Sequence, residues 1–177
     1  MELQYDITKE DYIAFNLNYF DNNAIVQRSM LTTRIATTAI CLLGGTGLMY
    51  WLKLSPWSVV VYVALAAVCF FGVPPYMRRK MIKNVDRILK NANNKQLCGS
   101  KTLTLEDKTF RLVGENEDTT YQYEAVQRIA TDEGHYYVFV DEFSAVIVPF
   151  TAFENDEQRL SFYDRITAYI EDEALKC

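Results

Sequence analysis

The feature that most constrains this chain is a block of residues, 35–77, in which Lys53 is the only charge. Helices over 35–52 and 54–77 would be about 27 and 36 Å long, against a bilayer core of about 30 Å. A chain of 177 residues cannot bury such a block on all sides, and its position does not fit a cleaved signal peptide. The block therefore predicts a transmembrane hairpin at 34–77, with helices at about 35–52 and 56–77.

Aromatic and basic residues mark the ends of the predicted helices. Aromatic rings are expected at the membrane–water interface, and we assign this role to Tyr50, Trp51, Trp57 and Tyr76. Residues 78–96 are predicted to form a juxtamembrane helix with seven basic residues and one acidic residue. Its lipid-facing side chains, named here the basic collar, are Arg78, Arg79, Lys80, Lys83, Arg87 and Lys90. Because the turn between the helices has a single lysine, the positive-inside rule predicts that both termini are cytoplasmic.

The hairpin region also suggests partners. A basic segment beside a membrane span attracts anionic lipid headgroups, so we expect such lipids at the basic collar. The alternative is that the collar only anchors the topology of the hairpin, without recognising a particular lipid. Glycines at 44, 45 and 47 permit close helix packing, which leaves a homo-oligomer open. Neither uncharged run contains an Asp, Glu, His, Lys or Arg residue, which disfavours a transporter.

The segments on either side of this region predict folded structure. In residues 1–33, a short alternating strand at 3–7 precedes a helix that begins with a capping-box spacing from Thr8 to Asp11. We expect the apolar face of this helix to pack on the cytoplasmic domain. Residues 97–177 alternate in six short runs with hairpin-length connections, and an amphipathic helix then begins near Asn155. The predicted fold class is a membrane α-helical hairpin plus an α+β domain. That domain is a small antiparallel barrel or sheet of pleckstrin-homology-like type, closed by the C-terminal helix.

The chain resembles the YcxB-like family of bacterial membrane proteins. The motifs that carry the resemblance are Tyr5-Asp6-Ile7-Thr8-Lys9-Glu10-Asp11-Tyr12, Gly99 with Leu103-Thr104-Leu105, Tyr123-Glu124 with Val126 and Ile129, Tyr136-Tyr137-Val138-Phe139, and Val146-Ile147-Val148-Pro149-Phe150 with Ala152-Phe153. The resemblance implies two membrane spans, a pleckstrin-homology-like C-terminal domain and a location in the bacterial cell membrane. It implies no particular biochemical activity.

No motif for catalysis, cofactor binding or metal binding is present in the sequence. His135 is the only histidine, and it follows Gly134 in a predicted turn, where an exposed loop position is expected. The four cysteines lack metal-ligand spacing. Residues 97–177 carry seven basic and seventeen acidic side chains, a balance that excludes a basic nucleic-acid surface. Lys101, Lys108 and Arg111 are too few to suggest a phosphoinositide pocket.

These observations predict a non-enzymatic membrane protein that presents a cytoplasmic domain for protein binding or scaffolding. The acidic domain favours a basic protein partner, which includes the chain's own basic collar. The alternative is an immunity or defence protein whose hairpin intercepts a membrane-active peptide or toxin, as related bacterial pleckstrin-homology-like membrane proteins suggest.

Overall fold

Four helices and seven strands are present in the computed structural model, which describes residues 1–53, 55, 57–90 and 97–174, with side chains described only as far as 170. In chain order they are β1 (Glu2–Ile7), α1 (Lys9–Asn22), α2 (Ala24–Leu52), α3 (Ser58–Lys90), β2 (Gly99–Leu105), β3 (Thr109–Gly114), β4 (Glu117–Gln122), β5 (Arg128–Thr131), β6 (His135–Phe139), β7 (Ala145–Pro149) and α4 (Asp156–Ala174). Parts of the predicted turn (54 and 56), the end of the predicted juxtamembrane helix (91–96) and the C-terminal residues 175–177 lie outside the described residues.

The chain divides into two compact units. The two-sheet unit contains Met1–Asn16 and Asp86–Cys177, and the hairpin unit contains Leu17–Val85. The sequence alone placed residues 1–33 in one N-terminal segment, whereas the boundary between the units falls inside α1. The segment before the hairpin therefore contributes its strand, and the first half of its helix, to the unit formed by the C-terminal part of the chain.

The start of α1 follows the predicted capping box. The Asp11 amide donates to Thr8 Oγ1 over 3.2 Å, and the Thr8 amide donates to Asp11 Oδ2 over 2.8 Å. This reciprocal pair satisfies two backbone donors at the helix start. One turn further on, the buried Phe15 ring lies 5.5 Å from the Tyr137 ring and 6.0 Å from the Phe139 ring, measured between centroids. The expectation that the helix packs on the folded domain is confirmed for this part of α1.

The first sheet has four antiparallel strands in the order β1-β2-β3-β4. Its strands alternate between buried and more exposed residues, as expected when one sheet face is covered. One row of the buried face joins Leu3, Leu103 and Leu112, which are directly opposed on three neighbouring strands. The alternation predicted both β1 and β2, but it gave no information that the two pair with each other.

The second sheet has three antiparallel strands in the order β5-β6-β7. The six predicted strands after residue 97 are confirmed, and they belong to two sheets because β4 and β5 do not pair. Between them, a short 3-10 turn at Tyr123–Ala125 redirects the chain, and the Tyr123 ring is buried and stacks on Tyr169 of α4 at 4.4 Å. The described strands thus form two sheets and do not close into one barrel.

The C-terminal helix begins where its N-cap signature predicted. The Gln158 amide donates to Asn155 Oδ1 over 2.8 Å, and the Glu154 amide donates to Gln158 Oε1 over 2.8 Å. The apolar face of α4 buries Phe162 and Ile166 almost completely. These side chains join the aromatic cluster around Tyr136 in the second sheet, so α4 completes the core of the two-sheet unit.

The hairpin unit contains two helices that are long and apolar enough to span a membrane. Asn23 separates α1 from α2, and its side-chain oxygen accepts hydrogen bonds from the amides of Ile25 and Val26. At the other end of α2, Lys53 adopts a left-handed backbone conformation with a φ of 48° and caps the helix. The second apolar helix and the predicted juxtamembrane helix form one continuous helix as far as Lys90, because α3 runs through both Pro74 and Pro75.

One glycine accounts for the close approach of these two helices. A Cβ atom added at Gly45 would lie 2.5 Å from Cδ1 of Tyr62, a distance that requires the ring to move. By contrast, a Cβ atom added at Gly44, Gly47 or Gly72 would meet no other atom within 4 Å. Of the three glycines at 44, 45 and 47, only Gly45 lies where the two helices approach closely, so the prediction of close packing holds for this one position.

Candidate functional site

A row of polar side chains crosses the buried face of the four-stranded sheet. Tyr5 in β1 opposes Lys101 in β2, Lys101 opposes Gly114 in β3, and Gly114 opposes Glu117 in β4. Directly opposed residues in neighbouring strands project from the same face of a sheet. Because Lys101 is in phase with the buried Leu103, the row lies on the core side of the sheet. We name these four residues the polar row.

Lys101 is the one buried charged residue in the part of the chain that the structure describes, with 6% of its surface exposed. Its ammonium group forms an ion pair with Glu117 Oε2. Gly114 lies between these two residues, and a Cβ atom at this position would be only 2.8 Å from Lys101 Nζ. The absence of a side chain at Gly114 therefore gives the lysine a path across β3 to the carboxylate.

The first member of the polar row has an unsatisfied hydroxyl group. Tyr5 is 7% exposed, and its hydroxyl oxygen has no hydrogen-bond partner among the described residues. Burial raises the pKa of Tyr5 well above its usual range, and the negative charge of Glu117 raises it further. The phenol is therefore protonated at neutral pH. A buried donor of this kind costs free energy unless an acceptor reaches it.

A cavity of about 110 Å³ lies beside the polar row. Tyr5, Lys101 and Glu117 form its polar part on the four-stranded sheet, and Tyr12 of α1 also lines it. Its apolar walls include Leu112 of β3 and Ile147 of β7, so the cavity lies between the two sheets. The volume is several times the 10–15 Å³ or so that one water molecule needs by this kind of measure. The arrangement offers two hydrogen-bond donors and one carboxylate to a molecule that enters the cavity.

His135 forms a second polar cluster, and the expectation of an exposed loop histidine is wrong. The residue begins β6, and only 13% of its side chain is exposed. Its Nε2 lies 2.9 Å from Asp11 Oδ1, and its Nδ1 lies 3.0 Å from Asp132 Oδ1. The imidazole thus ties the start of α1 to the turn between β5 and β6. Because the partner in α1 is 124 residues away, the local turn signal could not reveal it.

Asp132 organises the turn in this cluster. Its Oδ1 atom also accepts hydrogen bonds from the backbone amides of Gly134 and His135, each over 2.8 Å. Its other oxygen accepts a hydrogen bond of 2.5 Å from the hydroxyl group of Tyr137. The carboxylate therefore has four donors, two from the backbone and two from side chains. This set of contacts fixes the turn beneath α1.

Both carboxylates in the His135 cluster have pKa values below their ordinary values. Burial is the largest single influence and raises both pKa values, but hydrogen bonds together outweigh it. For Asp11 these bonds come from His135 and Thr8. For Asp132 they come from Tyr137, the Gly134 amide and His135. Each group therefore holds its negative charge more firmly in the folded state than in the unfolded chain.

We expect these carboxylates to make the two-sheet unit sensitive to acid. Their stabilising contribution is complete above the ordinary aspartate pKa of about 3.9 and is lost as the pH falls through the lower folded-state values. Amide hydrogen exchange of β6, measured on the full chain in lipid nanodiscs from pH 6 down to pH 3, should show protection decreasing below about pH 4. The Asp11→Asn/Asp132→Asn variant should show a flatter pH dependence. An equal acid sensitivity in this variant would contradict the assignment.

The structure exposes all the residues predicted to meet the membrane interface. Tyr50, Trp51, Trp57 and Tyr76 are between 67% and 90% exposed. Every side chain of the basic collar is exposed as well. Arg78 pairs with Asp21 at 3.4 Å and Lys90 pairs with Asp86 at 2.7 Å. Among the described residues, the other four collar side chains form no ion pair. Exposure is consistent with interfacial roles, which stay predictions.

Two of the three basic residues considered for headgroup binding are already paired. Lys101 contacts Glu117 inside the domain, and Arg111 makes two hydrogen bonds with the Asp118 carboxylate, of 2.7 and 2.5 Å. In the described ranges, no group of three or more His, Cys, Asp or Glu residues is arranged to hold a metal ion.

The fold defines a class of protein in which two helices able to span a membrane are joined to a two-sheet α+β unit. Residues 105–173 match the family model for YcxB-like protein, which confirms the resemblance inferred from the sequence. The match covers β3 to β7 and nearly all of α4. No curated protein and no solved structure matched the chain.

The polar row was not recognised from the sequence, although one signal for it was present. Lys101 occupies the apolar phase of a strand that continues with Leu103 and Leu105. A lysine in that phase indicates a buried charge that needs a partner. The identity of the partner depends on the register of β2, β3 and β4, which the alternating pattern leaves open.

Proposed function

We propose that the chain is a non-enzymatic integral protein of the bacterial cell membrane. It presents the two-sheet unit as a cytoplasmic pleckstrin-homology-like domain for protein binding or scaffolding. The observation that carries this proposal is the pairing of β1, before the hairpin, with β2, after it. Six consecutive pairs join the strands, from Glu2 opposite Thr104 to Ile7 opposite Gly99.

This pairing supports a hairpin that returns to the side of the membrane from which it started. A sheet cannot be divided by a bilayer, because hydrocarbon offers no partners to backbone N–H and C=O groups. The segments that precede and follow the hairpin therefore belong on one side, which requires an even number of crossings. The helices α2 and α3 are suited to provide two. The exposed basic collar favours the cytoplasm as that side, by the positive-inside rule.

The arrangement of the two-sheet unit supports the pleckstrin-homology-like assignment. A four-stranded and a three-stranded antiparallel sheet, followed by a C-terminal helix, is the order of elements found in domains of this type. Fold class does not define an activity. The case for a binding role therefore depends on the surface of the unit.

That surface favours a basic protein partner. Several acidic residues outside the strands are exposed and have no ion-pair partner among the described residues, and Glu115, Glu124, Glu133 and Glu142 are four of them. Residues 97–177 have ten more acidic than basic side chains, and such an imbalance attracts a partner of opposite charge. In the same way, the unpaired collar residues Arg79, Lys80, Lys83 and Arg87 favour anionic lipid headgroups, at about 1 kcal/mol per residue near the surface.

The topology can be tested separately from partner binding. In a chain whose own cysteines are replaced by serine, Glu133→Cys introduces one exposed thiol in the two-sheet unit. A membrane-impermeant maleimide should leave it unlabelled in intact cells and label it after the membrane is permeabilised. Labelling in intact cells would contradict the cytoplasmic location.

Partner binding can be tested by charge reversal in the full chain. Changing Glu115, Glu124, Glu133 and Glu142 to lysine should reduce the recovery of crosslinked partner severalfold, because attraction becomes repulsion. The matched variant with four glutamines should show a smaller reduction, since it removes the charge and retains the shape. Equal recovery from the lysine variant and the native chain would contradict the proposed binding surface.

A further inference from the structure

We propose that the cavity beside the polar row binds a small uncharged molecule that has an apolar body and one hydrogen-bond acceptor. This site is separate from the exposed acidic residues of the proposed partner-binding surface, so either proposal can fail without the other. Three properties of the cavity define the ligand class: an unused donor, a balanced pair of charges and a limited volume.

The unused donor is the hydroxyl group of Tyr5. It belongs to a residue that is 7% exposed, it has no partner among the described residues, and the residue lines the cavity. Folding has therefore removed a polar group from water without replacing its hydrogen bond, which is unfavourable. An acceptor on a bound molecule restores that bond. The ligand therefore needs a carbonyl, ether or hydroxyl oxygen.

The balanced charges exclude an ionic ligand. The ammonium group of Lys101 and the carboxylate of Glu117 neutralise each other at the polar end of the cavity. An anionic ligand would compete with Glu117 for Lys101 and leave an excess negative charge beside the buried lysine. A cationic ligand would leave an excess positive charge there. Both arrangements carry a desolvation penalty that an uncharged ligand avoids.

The volume and the walls define the body of the ligand. At about 110 Å³, the cavity is smaller than an engineered protein cavity of about 150 Å³ that binds benzene, and it is of the same order. Its apolar walls include Ile7, Leu112, Val146 and Ile147. Because the cavity is partly open to solvent, a ring or branched chain of about six carbon atoms can lie against these walls without being fully enclosed.

Methyl NMR of the full chain in lipid nanodiscs tests the proposal, with cyclohexanone as the probe. The isoleucine methyl signals of Ile7 and Ile147 should shift in a saturable manner as the probe is added. Methyl groups of Ile25 and Ile40 on the hairpin helices report partition of the probe into lipid, which gives a shift without saturation. The matched anion, cyclohexanecarboxylate, should produce no saturable shift at Ile7 or Ile147.

The Tyr5→Phe variant tests the donor directly. It removes only the unpartnered oxygen, so the fold should remain at least as stable, while cyclohexanone should bind about fivefold to tenfold more weakly. Tyr163→Phe is the matched control, because this tyrosine packs on Tyr136 and does not line the cavity. The proposal is overturned if the native chain shows no saturable shift, if Tyr5→Phe binds as tightly as the native chain, or if the anion binds as well as the ketone.

Discussion

Replacing Asp132 with alanine should destabilise the two-sheet unit by about 3 kcal/mol. The substitution removes the acceptor of four hydrogen bonds, two from backbone amides in the turn and two from the side chains of His135 and Tyr137. It also releases the imidazole that contacts Asp11 in α1. Amide hydrogen exchange in β6 should therefore become about 100-fold faster, measured on the full chain in lipid nanodiscs.

The neighbouring acidic residue provides the control for this prediction. Glu133 is exposed and adjacent to Asp132, so Glu133→Ala makes a similar change in composition and net charge at the same turn. It should leave exchange in β6 nearly unchanged. Equal effects from the two alanine variants would mean that the turn depends on charge or on backbone propensity, and not on the four hydrogen bonds.

Replacing Glu117 with glutamine should destabilise the same unit by about 2 kcal/mol. Lys101 would remain in a site where 7% of its side chain is exposed, without its countercharge. The loss is expected to be smaller than the 3–5 kcal/mol or so found for fully buried pairs, because 34% of the Glu117 side chain is exposed. Amide exchange in β2 and β3 should increase about 30-fold.

A second substitution separates the ion pair from the shape of the site. In the Lys101→Met/Glu117→Gln variant, the methionine can follow the same path over Gly114 without a charge, so most of the lost stability should return. Asp118→Asn is the surface control, since Asp118 pairs with Arg111 at the exposed surface and its loss should cause no measurable change. If the double variant is as unstable as Glu117→Gln alone, the buried charge is not the cause.

Much of the architecture could be predicted because it depends on local patterns. The two uncharged runs predicted α2 and α3, and short runs of strand-forming residues separated by turn residues predicted the seven strands. The side-chain spacing at Thr8 and Asn155 predicted the starts of α1 and α4, because an N-cap needs a polar acceptor within three residues of the amides it serves. These signals lie within a few positions of the structure that they specify.

The parts that could not be predicted depend on contacts between distant segments. His135 was expected in an exposed turn because Asp11, which shields it, lies in another part of the chain. The polar row required the register of four strands, and a shift by one residue would have placed Lys101 on the other face. The division into two sheets depends on the burial of Tyr123 against α4, which local periodicity does not encode.

The order of β1 and β2 in the chain has a consequence for biosynthesis under the proposed topology. Leu3 leaves the ribosome first, yet its partner in the sheet, Leu103, is synthesised a hundred positions later. Completion of the sheet must therefore wait until both helices have been delivered to the bilayer. If only one of the two helices is inserted, β1 and β2 lie on opposite sides of the membrane. The edge of β2 that pairs with β1 then has no partner. Correct assembly of the sheet therefore depends on the insertion of both helices.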